Sequence, residues 1–198
     1  MRRGDCGKVF KLYLVSRNKG KVTEFQRLGV DECVDVYPVE LSKVEMQSDD
    51  LTDIALYSAV QASLYLKEPF FVEDSGLYVE PLSGFPGPYS SYVFRTIGVE
   101  GVLKLMEGSL NRSAYFESVI VLHYPGFGFR VFRGRVQGAI SREARGTGGF
   151  GFDPIFVPQG RDETFAEMRV EDKNLLSHRG KAFRAMCEWL RTIYKSQL

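Results

Sequence analysis

The 198-residue chain carries 26 basic and 25 acidic residues, a formal net charge of +1, and is 44% hydrophobic. This predicts one globular domain over residues 1–198 and excludes a general nucleic-acid binder, which needs a clear basic excess; no apolar run approaches the length of a membrane span. Cys6, Cys33 and Cys187 are far apart and odd in number, without a disulfide framework or zinc spacing, which fits a reducing, cytoplasmic setting.

Met1-Arg2-Arg3 is basic, but the apolar stretch Val9 to Val15 behind it is broken by Lys11 and lacks a small-residue cleavage site, so no signal peptide is expected. Val9 to Val15 reads instead as a first strand. Ser16-Arg17-Asn18-Lys19-Gly20-Lys21 is a polar loop, and a short helix follows with Val22, Phe25 and Leu28 on one face and Gly29 as its stop. Strand, polar loop, helix is a layout that aims backbone N–H groups at an anion, and Lys19 and Lys21 add positive charge. The loop lacks the glycine spacing of a Walker A motif, so a solvated basic loop is the plain alternative.

Cys33 to Tyr37 reads as a second strand ended by Pro38. Glu45 lies in the irregular stretch Val44 to Gln47. Ser48 or Asp50 can cap a helix from Leu51 to Leu66, whose apolar stripe is Leu51, Ile54, Ala55, Ala59, Ala62 and Leu66. Phe70-Phe71-Val72 is a buried strand ending in Glu73-Asp74-Ser75-Gly76, so its carboxylates fall where open α/β sheets bind ligands. Adjacent acids repel, and a hard divalent ion such as Mg²⁺ would relieve that repulsion through oxygen ligands. A cap or turn made by Asp74 and Ser75 is the plain alternative.

Leu77 to Val79 resumes a strand, Ser83 to Tyr89 is a rigid turn, and helices are expected near Ser90 to Arg95 and Val99 to Glu107, the latter stopped by Gly108. Ser113 to Tyr124 alternates as a long strand. Pro125 to Gly128 is a hairpin turn, and Phe129 to Ser141 returns antiparallel. Arg130, Arg133 and Arg135 on that return read as a solvated face, and His123 as an ordinary strand residue.

Gly146 to Phe156 holds four glycines within six positions, which makes it a loop that can approach a ligand closely. Phe150 or Phe152 could stack on a flat ring and Asp153 could accept a hydrogen bond from it; aromatics tucked into the core are the alternative. Ile155 to Val157 returns to a strand. Ser177 is a good cap for a last helix whose core stripe is Phe183, Met186, Cys187, Leu190 and Tyr194. His178 and Arg179 then sit in the first turn, where cations oppose the macrodipole, so something negative or electron-rich is expected beside them.

In this order, the stretches Ser16–Lys21, Glu73–Leu77, Gly84–Tyr89, Gly146–Phe156, Thr164–Met168 and Lys173–Ala182 resemble the inosine triphosphate pyrophosphatase, or Ham1-like, family over essentially the whole chain. The specific part is GGFGFDPIF (residues 148–156) combined with SHRGKA (residues 177–182). The resemblance implies an elongated α/β fold: a mixed β-sheet with flanking helices and two lobes around a central nucleotide-binding cleft. It implies Mg²⁺-dependent hydrolysis of ITP, dITP and XTP to the monophosphate and pyrophosphate, with purine nucleoside triphosphates as substrates and a homodimer as the assembly.

Carried over by motif, Asp74 looks like the catalytic and metal-binding carboxylate, with Glu45 as a second metal ligand. Ser16, Asn18, Lys19 and Lys21 look like triphosphate contacts, and Arg17, Gly20 and Ser75 fall in the same motifs. Phe150, Gly151, Phe152 and Asp153, with Lys173, His178 and Arg179, look like the nucleotide site. His178 and Arg179 can donate to a 6-keto oxygen, which adenine lacks. Two departures stand out: Arg17 replaces a common glycine, and no lysine occurs between Val44 and Leu66, where relatives often carry one and this chain has Ser58 and Gln61. A nucleotide pyrophosphatase of shifted base preference and a non-catalytic nucleotide-binding regulator are the other readings.

Overall fold

The computed structural model describes residues 8–42, 44 and 46–195. The elements are β1 (Phe10–Val15), α1 (Lys19–Glu32), β2 (Val34–Val39), α2 (Leu51–Ser63), β3 (Phe70–Val79), β4 (Pro86–Gly87), α3 (Ser90–Thr96), α4 (Gly98–Leu105), β5 (Ser113–Tyr124), β6 (Gly128–Ile140), β7 (Phe156–Pro158), α5 (Val170–Leu176) and α6 (His178–Lys195). One mixed sheet runs β2-β1-β3-β5-β6-β7, with β4 paired to β3 off that path. β1 is parallel to β2 and β3, and every other pairing is antiparallel. Among the described residues, no helix is long and apolar enough to cross a membrane.

The sheet is covered differently at its two ends. Where β1, β3 and β5 lie side by side, α1 and α6 bury Phe25, Leu28, Phe183 and Met186 against Leu12, Leu14, Phe71 and Ile120. α2 covers the opposite face with Leu51, Ala55, Ala59 and Ala62 against Phe70, Val72, Val119 and Val121. Coverage on both faces explains why the run Phe116–Leu122 of β5 is buried at every position. Further along the long β5–β6 hairpin, a third cluster forms from Leu77, Phe116, Val136, Phe156, Phe165, Val102 and Met106. These two ends are the two lobes, and the cleft opens between them.

Several boundaries differ from those expected. α1 does not stop at Gly29 but runs to Glu32 and turns at Cys33, whose φ of 59° closes it. Gly29 serves as a contact point: a Cβ there would lie 2.3 Å from the Val34 carbonyl oxygen. Pro38 does not end β2, because β2 is the sheet edge and a missing N–H costs nothing on its outer side. α2 ends at Ser63 rather than Leu66, and Asp50 is its cap, accepting from the Thr52 N–H at 2.7 Å. Cys33 is disulfide-bonded, against the expectation of no disulfide, whereas Cys187 is a free buried thiol. Arg133 and Arg135 are not merely solvated: both reach Glu117 on β5, Arg135 at 2.6 Å and Arg133 at 3.6 Å.

β3 departs furthest from the expected layout. It is continuous through Glu73 and Asp74, which pair with Ile120 and Val119 of β5. The acid pair is therefore mid-strand, not at a strand end. The parallel contact with β1, however, stops at Phe71. β3 thus outruns its parallel neighbour, and the two carboxylates stand just past that edge, beside the loop that leads from β1 into α1.

The start of α6 is pressed onto β6. A Cβ on Gly134 would lie 2.1 Å from the His178 carbonyl oxygen and 2.5 Å from the Ala182 nitrogen, both backbone atoms that cannot swing aside. Gly134→Ala should therefore destabilise the fold by about 1–3 kcal/mol, the usual cost of overpacking. Urea unfolding checks this; an unchanged midpoint would mean that α6 is free to lift from the sheet.

Candidate active site

The loop after β1 is held by short-range bonds. Asn18 caps α1 by accepting from the Lys21 N–H at 3.1 Å, and its own N–H donates to Ser16 Oγ at 3.1 Å. The Ser16 N–H is tied to the Val39 carbonyl at 3.1 Å. Lys21, on the first turn of α1, is thereby aimed at β3. Its Nζ lies 2.8 Å from Glu73 Oε2 and 3.8 Å from Asp74 Oδ1, and donates to the Glu73 carbonyl at 3.1 Å.

Glu73 is the centre of the arrangement. Its side chain is fully buried, Ser118 Oγ donates to Oε1 at 2.8 Å, and Arg179 Nε lies 3.2 Å from the same oxygen. The contacts of Lys21 Nζ with Glu73 Oε2 and of Arg179 Nε with Glu73 Oε1 are ion pairs by distance. Burial pushes the carboxyl up, but the Lys21 and Arg179 charges more than reverse this and hold it at about 2. The repulsion expected between Glu73 and Asp74 is thus relieved by the chain's own cations.

From Arg179 the network continues. Its Nη1 donates to Glu24 Oε2 at 3.1 Å and its Nη2 to Ser75 Oγ at 2.7 Å. Glu24 also pairs with Lys173, which pairs in turn with Asp153 Oδ2 at 2.7 Å. That same Asp153 oxygen accepts from the Phe150 N–H at 2.8 Å, which folds the glycine loop back on itself. Burial pushes the Asp153 carboxyl up, with Lys173 pulling against it. Glu73, Glu24 and Asp153 alternate with Lys21, Arg179 and Lys173, which is how five buried charges and the half-buried Lys21 can coexist. The negative partners expected beside the first turn of α6 are therefore Glu73 and Glu24.

A cleft of about 1110 Å³ opens over this network, ample for a nucleoside triphosphate. The structure brings Ser16, Arg17, Asn18 and Lys21 to it from the first loop, and Asp74 and Ser75 from β3. Phe150, Gly151, Phe152 and Asp153 of the glycine loop and Arg179 of α6 also line it. Asp74 is the more open of the acid pair, with 27% of its side chain exposed against 0% for Glu73. Phe152 turns into the core and meets Phe94 edge-on, so Phe150 is the loop's half-exposed ring, with the Arg179 guanidinium 4.8 Å from its centroid.

Other expected site residues lie off the cleft wall. Lys19 is exposed on α1, and Gly20 makes room for the Phe150 ring, which a Cβ would meet at 2.6 Å. Lys173 is buried in the ion network. His178 is 1% exposed, its ring stacked on Phe116 at 4.7 Å, with both nitrogens lacking a partner among the described residues. Burial, then the charges of Arg179 and Lys173, push its pKa well down, so the ring is neutral. Glu45 lies outside the described residues. Among the described residues, no three His, Cys, Asp or Glu side chains converge as a metal site.

Sequence reasoning missed Glu24 and Ser118, and the cleft wall formed by Tyr89, Ser91, Phe94 and Arg95 around α3. Glu24 did carry a signal: it lies three residues after Lys21 and beside Phe25, a carboxylate on the helix face bound for the core.

A model of the Ham1 family matches residues 12–189 of the chain. The dITP/XTP pyrophosphatase of Hyperthermus butylicus is 52% identical over 91% of this chain and 94% of its own length. That of Thermococcus kodakarensis is 49% identical over 91% of this chain and 97% of its own. Among solved structures, a HAM1 protein from Coxiella burnetii superposes with a TM-score of 0.79 at 30% identity, covering 93% of this chain and 100% of that one. The Staphylococcus aureus Ham1 protein gives 0.78 at 28% identity, covering 92% and 98%.

The ion pairs at Glu73 make stability depend on pH with a defined sign. Folded Glu73 stays ionised down to about 2, whereas an ordinary glutamate takes up its proton near 4.5. The stabilisation is therefore complete above 4.5 and is lost as pH falls from there towards 2. Glu73→Gln should cost about 3–5 kcal/mol near neutral pH, as expected for breaking a buried pair, and the gap from the parent should narrow in acid. Urea unfolding of both proteins across that range checks this; a gap independent of pH would remove Glu73 from the ion network.

Proposed function

The chain belongs to the Ham1 family, and from that premise we propose that it hydrolyses non-standard purine nucleoside triphosphates, dITP, XTP and ITP, to the monophosphate and pyrophosphate. The observation that carries this reading within the site is the division of labour between adjacent acids. Glu73 is fully buried between Lys21 and Arg179, while Asp74 lines the cleft with 27% of its side chain exposed.

Cleavage of a triphosphate is mainly positioning and charge neutralisation. The start of α1 supplies backbone N–H groups at Lys19 and Gly20 that have no partner within the helix, beside the hydroxyl of Ser16 and the ammonium of Lys21. Asp74 can accept the proton of an attacking water. Mg²⁺ suits what Asp74 offers, a hard carboxylate oxygen facing the cleft, with Glu45 as a further ligand; when bound it would screen the phosphates and stabilise the leaving pyrophosphate.

Phe150 offers the base a ring face at the glycine loop, a contact blind to base identity. Arg179 touches both halves, packing on Phe150 and donating to Ser75. His178, a neutral ring whose nitrogens lack a partner among the described residues, keeps a donor for a 6-keto oxygen. This reading carries a cytoplasmic location with it.

The resemblance also carries a homodimer. The outward face of α2 and the turn that follows it support it, since Leu56, Tyr57 and Val60 on the helix and Leu64 and Tyr65 just after it are all exposed.

The activity is tested by measuring pyrophosphate release from dITP, XTP, GTP and ATP, each with and without Mg²⁺. Turnover should require Mg²⁺ and favour dITP and XTP. Asp74→Asn should lower it at least about a hundredfold while the fold survives. Release of orthophosphate, or near-normal turnover by Asp74→Asn, would falsify the reading; a preference for another base would redirect it to that substrate.

The assembly is tested by sedimentation equilibrium. A dimer should be seen, and Val60→Glu combined with Leu64→Glu should shift it to monomer. A parent protein that sediments as a monomer removes the proposal.

A further inference from the structure

The cations of the cleft differ in what they already hold. Lys21 is bound to Glu73 and lies close to Asp74. Arg179 is bound to Glu73, Glu24 and Ser75. Arg95, on the α3 wall, donates to Ser91 Oγ at 2.7 Å. Arg17 has no hydrogen-bond or ion-pair partner among the described residues, and is exposed at the cleft lip.

The charge balance points the same way. Four cations, Arg17, Lys21, Arg95 and Arg179, line the cleft against three carboxylates, Glu73, Asp74 and Asp153. Without Arg17 the described lining is neutral in sum, and of its four cations only Arg17 and Arg95 hold no carboxylate among the described residues. The backbone on either side of Arg17 is pinned by the Ser16–Asn18 and Asn18–Lys21 bonds, while its side chain is not. A guanidinium on a fixed loop, next to the N-terminus of a 14-residue helix, suits forked hydrogen bonding to phosphate oxygens.

We propose that Arg17 reads the length of the phosphate tail: it binds the part of the substrate that leaves as pyrophosphate, and so selects triphosphates over diphosphates and monophosphates. The proposal rests on the pyrophosphatase reading for its substrate, but not for its binding test. Inorganic tripolyphosphate presents the tail alone, and the nucleoside monophosphate dIMP presents the base, sugar and first phosphate.

The experiment is isothermal titration of the intact chain and of Arg17→Ala, Arg17→Lys and Arg95→Ala with tripolyphosphate and, separately, dIMP, without added divalent ions. Steady-state kinetics on dITP and dIDP accompany it. Arg17→Ala should weaken tripolyphosphate about 10- to 100-fold, the range for a charge-assisted contact, and change dIMP by less than about twofold. Its KM for dITP should rise in proportion while kcat changes little, and the preference for dITP over dIDP should fall. Arg17→Lys should recover part of the loss, and Arg95→Ala should lose little, its guanidinium being already engaged. Since Arg17 is exposed, melting temperature should be unchanged.

Three results would each overturn the proposal: tripolyphosphate binding that survives Arg17→Ala, equal losses for tripolyphosphate and dIMP, or an equal loss in Arg95→Ala, which would reduce the effect to net charge. Absence of dITP hydrolysis alongside Arg17-dependent tripolyphosphate binding would refute the activity and leave the tail-binding role standing. Hydrolysis that is indifferent to Arg17 would do the reverse.

Discussion

Everything at this site depends on one buried carboxylate kept ionised. Glu73 has no exposed side-chain surface, and burial alone would drive it to the neutral acid. Lys21 from α1 and Arg179 from α6 prevent that, which means three elements distant in sequence must meet at one point. Removing any one of them would leave an uncompensated buried charge, so the three depend on one another for stability. Their consequence for chemistry is indirect: Glu73 spends the two cations, and Asp74, its neighbour on the other face of β3, is left facing the cleft.

The meeting is possible because the sheet is thin where α6 begins. Ser75, Ser118 and Gly134 are register partners across β3, β5 and β6, a row of small residues in a sheet otherwise rich in branched and aromatic side chains. Gly134 lets the α6 backbone touch the sheet, Ser118 donates to Glu73, and Ser75 receives Arg179. A larger side chain at Gly134 would lift the first turn of α6 and take Arg179 away from Glu73. The same ion network then passes through Glu24 and Lys173 to Asp153, so the loop expected at the base and the strand expected at the phosphates are joined by charge.

The cleft itself follows from unequal strand lengths. β1 ends at Val15 while β3 continues to Val79 along β5, so the β1–α1 loop and the middle of β3 share an edge that no strand covers. The long hairpin carries the second hydrophobic lobe outward, and the glycine loop closes the far side. A ligand position of the open α/β kind is thus built at mid-strand rather than at a strand end.

Much of this was legible in the sequence because it is local. The hairpin turn at Pro125–Gly128 marked β5 and β6, although β5 is buried on both faces rather than alternating; apolar spacing marked α2 and α6, and the motifs at Ser16–Lys21, Glu73–Leu77, Gly146–Phe156 and Ser177–Ala182 named the cleft and its family. Boundaries set by neighbours were not legible: Gly29 looked like a helix stop and is a packing contact, and Pro38 looked like a strand end and is tolerated at an edge. Nor were the partners. A lysine, an arginine or a histidine has the same letter whether it is bound, buried or free, and only the fold decides. It consumes Lys21, Lys173 and Arg179 in ion pairs, seals His178 against Phe116, and leaves Arg17 without a partner among the described residues. Sequence determines which charges exist within a few residues of each other; which of them cancel depends on distant contacts, such as the one spanning 155 positions between Glu24 and Arg179, and those exist only once the sheet has formed.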